Sequence, residues 1–304
     1  MGSNVLGASA ALVASALFSV GLVLQATEAR GVDSRLSLHF SLIVRLISRP
    51  RWVFGTLVIV LGYPFHVVAL LLAPLSVVQP ALAVGLLVLL VVGARTPGEN
   101  VTTRDVAGVA AIVIGVAAMT LIAPRRAVVD AAAAPLIIAL GALAAATLVP
   151  YALMRFKTVS APSMATVATF AAGAAYAFGG ITTKLAADHL ADAEIAATVG
   201  WLAATALVGG LGFLGQVTAL QRRSATDVGP VIYVIPVLVP VLAAPLLTGE
   251  QWGQTPLGGS ALIIALIVVC VGAALVSSSP SVGRATERKG VPPTRSPVQG
   301  AGGP

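Results

Sequence analysis

Residues 52–94 read WVFGTLVIVLGYPFHVVALLLAPLSVVQPALAVGLLVLLVVGA, a run that contains one His and one Gln but no Asp, Glu, Lys or Arg. A helix needs about 20 mainly apolar residues to cross the hydrocarbon core of a bilayer. The run is long enough for two such helices. Ala73-Pro74-Leu75-Ser76 divides it, because the residue before a proline is pushed out of the helical region. The same reading carried outward predicts nine spans: Val5–Gln25, Trp52–Ala73, Leu75–Ala94, Val106–Ala123, Pro135–Met154, Ser163–Ala187, Ile195–Leu220, Val228–Thr248 and Leu257–Ser277. Breaks rich in Pro, Gly or charge separate them, among them Arg95-Thr96-Pro97-Gly98-Glu99, Pro124-Arg125-Arg126 and Arg222-Arg223.

Composition agrees. Of 304 residues, 58% are hydrophobic and 10% charged, with a mean hydropathy of +0.98. A soluble domain has about a quarter of its residues charged. The expected class is therefore an all-α membrane protein. The net charge of +7 does not point to nucleic acid, since the basic residues stand singly or in pairs between apolar runs and form no continuous basic face. Met1 to Asn4 lack the positive charge of a signal peptide, and Val5–Gln25 is too long for its core, so this segment reads as the first span.

Counting loop charges orients the chain. Fifteen basic residues fall on the side holding 26–51 and the C-terminal segment, against three (Arg125, Arg126, Lys184) on the other. The positive-inside rule then puts the C-terminus in the cytoplasm and the N-terminus outside. The expected location is the plasma membrane. Leu36–Ile47 is short for a span and carries Arg45 beside Arg35 and Arg49, so an amphipathic helix at the cytoplasmic interface is expected near 36–48; were it to cross instead, there would be ten spans and the N-terminus would lie inside. Ser278 to Pro304 is rich in Ser, Pro, Gly and Arg and reads as a disordered cytoplasmic tail.

An internal repeat lies beneath the spans. At an offset of 150, positions 62–84 match at seven of twenty-three, including Gly62/Gly212, Val78/Val228 and Pro80/Pro230. Glycine and proline carry the weight, because they shape helices and are poor interchangeable fillers. Phe18-Ser19-Val20-Gly21 similarly resembles Phe178-Gly179-Gly180-Ile181. The expected organisation is a four-span copy over 1–123, a connecting fifth span within 124–162, and a second copy over 163–277. One odd connecting span inverts the second copy. Inverted repeats with Gly- and Pro-interrupted helices are a frequent plan of secondary transporters, whose substrate sits near the midplane.

Polar side chains inside spans are the functional candidates, with helix-to-helix hydrogen bonding as the plainer alternative. His66 and its repeat counterpart Gln216 lie beside Gly and Pro in both copies and are the leading pair for a substrate path. His66 either carries a proton or makes a structural hydrogen bond. Gln79 supplies an amide before Pro80, or serves as packing glue. Tyr63, Tyr176 and Tyr233 line the path or belong to packing and interface belts. Gln25 and Lys184 sit near span ends, where reaching toward the interface is expected. Gly173, Gly179, Gly180, Gly209 and Gly210 are expected to let helices approach closely, and Trp52, Trp201 and Trp252 to anchor at the interfaces.

No phosphate-binding loop, metal-ligand cluster or nucleophile–base arrangement is present in the sequence, so no cofactor, no bound metal and no enzymatic activity are expected. The expected partners are membrane lipid and a small-molecule substrate, without nucleic acid, and a homodimer is left open.

Ala16-Leu17-Phe18-Ser19-Val20-Gly21, with Ala69-Leu70 and Ala73-Pro74-Leu75-Ser76-Val77-Val78-Gln79-Pro80, resembles the drug/metabolite transporter superfamily. The likeness is to its EamA-like bacterial members and to the nine-span NIPA-type magnesium transporters. It implies an inverted-repeat helical bundle moving a small solute by alternating access, with proton-coupled export as one form. A magnesium or other divalent-cation transporter would instead need Glu99, Asp105, Asp227 and Glu250, all at span ends, to reach a shared cavity. A membrane scaffold acting through its tail would need no polar cavity.

Overall fold

A computed structural model of the chain describes residues 2–29, 40–94, 102–124, 133–155, 161–220 and 225–279. These residues are helical, with no strand among them. The helices are α1 (Gly2–Ala29), α2 (Phe40–Ile47), α3 (Pro50–Leu72), α4 (Leu75–Leu82), α5 (Gly85–Ala94), α6 (Thr103–Ile122), α7 (Ala133–Arg155), α8 (Ala161–Ala191), α9 (Ile195–Leu220), α10 (Ala225–Leu247) and α11 (Ser260–Ser277). With α4 and α5 taken together as one span, nine helices among the described residues are long and apolar enough to cross a membrane. Large apolar side chains such as Phe54, Ile138 and Ile264 point outward, as a lipid-facing surface requires. This is a multi-pass membrane protein.

Helix α2, only eight residues long, is too short to cross and packs on α3. Residues 36–39 of the expected interfacial segment lie outside the described residues, as do the tail beyond Ser279 and most of the basic loop residues.

Local chemistry sets the ends. Pro50 occupies the first turn of α3, where a missing N–H costs nothing. Thr102 and Asp105 form a reciprocal capping box at α6: the Asp105 N–H donates to Thr102 Oγ1, and the Thr102 N–H donates to Asp105 Oδ2 at 2.9 Å. Glu28 at the end of α1 pairs with Arg49 before α3 at 3.0 Å, which ties together both ends of the first connection. Between α10 and α11 the chain turns tightly through Gly249, Leu257, Gly258 and Gly259, all at positive φ.

The third span departs from the expected continuous helix. It is interrupted at Ala83-Val84, where i-to-i−3 bonds replace the regular ladder. Pro80 has no N–H to give the Ser76 carbonyl, which weakens this helix from within. Ser15 of α1 then donates to the Leu82 carbonyl at 2.6 Å, taking up an acceptor at the break.

Three intimate pairings organise the bundle: α1 with α3, α8 with α9, and α6 with α11. The last is a glycine seam. A Cβ on Gly272 would lie 2.6 Å from the Gly108 carbonyl oxygen, and one on Gly115 would lie 2.5 Å from Val269. Such close backbone approach is how apolar helices gain packing energy in lipid, where no hydrophobic effect separates them from their surroundings.

Candidate functional site

Between α1, α3 and α4 on one side and α8, α9 and α10 on the other lies a cavity of about 460 Å³. That is within the roughly 300–1,000 Å³ of small-molecule sites. Its walls follow from helical periodicity. On α3 the lining residues are Trp52, Thr56, Ile59, Tyr63 and His66, alternately four and three apart, which is one face of a helix. On α1 they are Ser15, Phe18, Ser19, Leu22 and Gln25, again one stripe.

His66, Gln216, Gln79, Tyr63, Tyr176 and Tyr233 all border this cavity, and so does Gln25. Lys184 does not. Its neighbour Thr183 faces the cavity, while the Lys184 ammonium is buried and bonds the Asp188 carboxylate at 2.5 Å, one helical turn along α8. The expected snorkelling of Gln25 and Lys184 is therefore not seen. Both are buried, and the Gln25 amide donates to Thr56 Oγ1 at 2.8 Å. A nearby partner removed the need to reach water.

The polar groups of the wall divide into two sets. Some are paired: the Tyr176 hydroxyl donates to Gln216 Oε1 at 2.5 Å, and the Thr205 hydroxyl meets at 2.7 Å that of Thr182, which does not itself border the cavity. Others have no hydrogen-bond partner among the described residues: both ring nitrogens of His66, the Gln79 amide nitrogen and the Tyr233 hydroxyl. His66 and Gln79 are each 5% exposed or less. Gln79 lies over Gly180, where a Cβ would come within 2.4 Å of its amide nitrogen, so this contact joins α4 to α8. Unpaired buried polar groups are costly, each forfeiting about 1–3 kcal/mol.

Helix α10 adds acceptors by a different route. Pro236 and Pro240 lack N–H groups, which denies the carbonyls of Ile232 and Pro236 their regular helical donors. Both residues line the cavity.

Aromatic rings cover much of the remaining wall. Phe18 and Tyr63 lie 5.3 Å apart between centroids, and Phe18 meets His66 edge-on at 5.9 Å. Trp52 and Phe213 stand 6.2 Å apart across the two sides of the cavity. Trp52 is buried there and is not an exposed interfacial anchor. The expected role of the glycines also splits. Gly173 and Gly180 do meet neighbours closely, but a Cβ at Gly209 or Gly210 would meet nothing within 4 Å, because these two border the open cavity.

No Asp, Glu, Lys or Arg borders the cavity among the described residues. Of the span-end carboxylates, Asp105 caps α6. Glu250 accepts from the Ser76 N–H and from Trp252 Nε1, each at 3.2 Å. Glu99 and the side chain of Asp227 lie outside the described residues. No group of three or more His, Cys, Asp or Glu able to hold a metal forms among the described residues.

Ser15, Ser19, Thr56, Thr183, Thr205, Trp52 and Phe213 were not among the sequence-derived candidates for the path. The signal was available for Trp52 and Thr56, which share the helical stripe of Tyr63 and His66. Comparison of the chain with known protein families, curated proteins and solved structures finds no match.

Proposed function

We propose that this chain is a secondary transporter that moves a small organic solute across the plasma membrane by alternating access. The observation that carries the reading is the cavity between α1–α3–α4 and α8–α9–α10, bordered from both sides by buried polar residues. A membrane scaffold has no use for such a space. A hard divalent cation prefers oxygen ligands, usually carboxylates, and the described lining includes no carboxylate.

On this reading the two walls are the inverted copies within 1–123 and 163–277, joined by α7. Two features favour the repeat. The matched glycines act alike: a Cβ on Gly62 would collide with Phe18 of α1, and one on Gly212 with Ala175 of α8. The matched polar pair His66 and Gln216 borders the same cavity. The halves then rock about this centre, with the broken third span and the proline-rich α10 as the deformable elements. The resemblance to the drug/metabolite transporter superfamily and the cytoplasmic placement of the C-terminus belong to the same proposal.

The test is flux into proteoliposomes, using a solute first selected by thermal stabilisation of the purified protein. A ligand at a hundred times its dissociation constant stabilises by about 2.7 kcal/mol. His66→Ala and Gln216→Ala are expected to lower flux at least tenfold while the protein remains folded. Normal flux in both variants would remove the cavity from the mechanism.

A further inference from the structure

The chemistry of the wall narrows the solute. The described lining includes no ionised side chain, and Lys184, the cation beside it in sequence, is turned to Asp188. A charged solute would leave water without a counter-charge, and that desolvation costs several kcal/mol per ion. A purely aliphatic solute meets a different penalty, because it would leave His66, Gln79 and Tyr233 unpaired.

These groups come from three helices and offer complementary chemistry. The Gln79 amide nitrogen donates. A neutral imidazole donates at one nitrogen and accepts at the other, and the Tyr233 hydroxyl does either. Around them stand the faces and edges of Phe18, Tyr63, Trp52 and Phe213, surfaces on which a flat ring stacks favourably. We propose, on the premise that this cavity is the transport site, that its substrate is an uncharged planar aromatic solute. Its ring lies against the aromatic walls, and its amide-like donor–acceptor edge reaches His66, Gln79 and Tyr233. Gln216, already bonded by Tyr176, shapes the opposite wall and holds its own amide in one orientation.

Compounds of nearly one shape and three charges test this. Benzamide, benzoate and benzamidinium share a flat ring and a planar two-heteroatom edge but are neutral, anionic and cationic. Uracil and adenosine, with adenosine 5′-monophosphate as the charged counterpart of the latter, extend the series in size. Equilibrium binding to the purified full chain in lipid nanodiscs is measured first, then counterflow in proteoliposomes. At least one neutral compound is expected to bind, with its charged counterparts at least tenfold weaker. Gln79→Leu is expected to weaken that binding about tenfold, the equivalent of one hydrogen bond. Gly141→Ala on α7, where a Cβ meets no neighbour within 4 Å and which does not border the cavity, serves as a folded-state control.

A charged compound that binds as tightly as its neutral counterpart overturns the solute class, and if it is also carried, transport itself stands. A neutral compound that binds in the cavity without counterflow supports the class and overturns the transport reading. Absence of binding by every neutral compound overturns the class.

Discussion

The α6–α11 seam and the central cavity are built from the same few residue types, yet they are packed in opposite ways. In the seam, Gly108, Gly115 and Gly272 bring backbones into contact, and any added carbon collides. At the cavity wall, Gly209 and Gly210 leave room that nothing fills. Satisfaction differs as well. At the cavity, His66, Gln79 and Tyr233 keep polar atoms without partners among the described residues. Near the seam's ends most polar groups are used: Arg104 donates to Ser278 at 2.8 Å, and Thr102 and Asp105 cap one another through Asp105 Oδ2, while Asp105 Oδ1 has no partner among the described residues. One region is spent on holding the bundle together, whereas the other keeps open space and unused hydrogen-bonding capacity at some expense of stability.

That contrast can be broken most forcefully at Gly272. Gly272→Leu drives a side chain into the Gly108 carbonyl, and overpacking of this kind costs about 1–3 kcal/mol. A clear fall in the thermal midpoint in detergent is expected, and an unchanged midpoint would mean that α6 and α11 do not pack this closely. Glu250→Ala comes next. It leaves the Ser76 and Trp252 N–H groups without their shared acceptor, a loss of about 1–3 kcal/mol for buried donors, with the half-buried Trp252 side chain pulling the value toward the lower end. Differential scanning fluorimetry reads it directly, and Glu250→Gln should recover part of the loss because the amide oxygen still accepts one bond.

Smaller effects sharpen the comparison further. Thr205→Val removes one hydroxyl of the α8–α9 bridge with little change of shape, and such bonds within membranes average about 0.6 kcal/mol. A double-mutant cycle with Thr182→Val is expected to return that coupling. Gly209→Leu should change stability least, since its Cβ meets no neighbour, and yet it should stop flux by occupying the space at the wall. Loss of stability there comparable to Gly272→Leu would show that the cavity is packed more tightly than these distances say.

Much of this fold was legible before any coordinates. The boundaries expected for the nine spans lie within a few residues of the nine long apolar helices. The polar candidates in the first and second halves were found because Gln79, His66 and Gln216 stand out against apolar neighbours. The interruption at Ala83-Val84 was not legible. Pro80 marks a weak point, but where the helix yields depends on Ser15 of another helix reaching the Leu82 carbonyl. Lys184 misled for the same reason. A lysine near a span end reads as an interfacial anchor, and its burial follows from a local pairing with Asp188 that the span pattern does not display.

The chain by itself determined that it forms long apolar helices, because in hydrocarbon each backbone N–H and C=O must be satisfied within its own segment. The tertiary structure alone decided which helices touch, and therefore where the cavity lies. Around most of their circumference these helices are equally apolar, and lipid-facing and protein-facing surfaces cannot be told apart by hydropathy when both neighbours are hydrocarbon. Steric fit chose between them, setting Gly272 on Gly108 and leaving Gly209 facing open space.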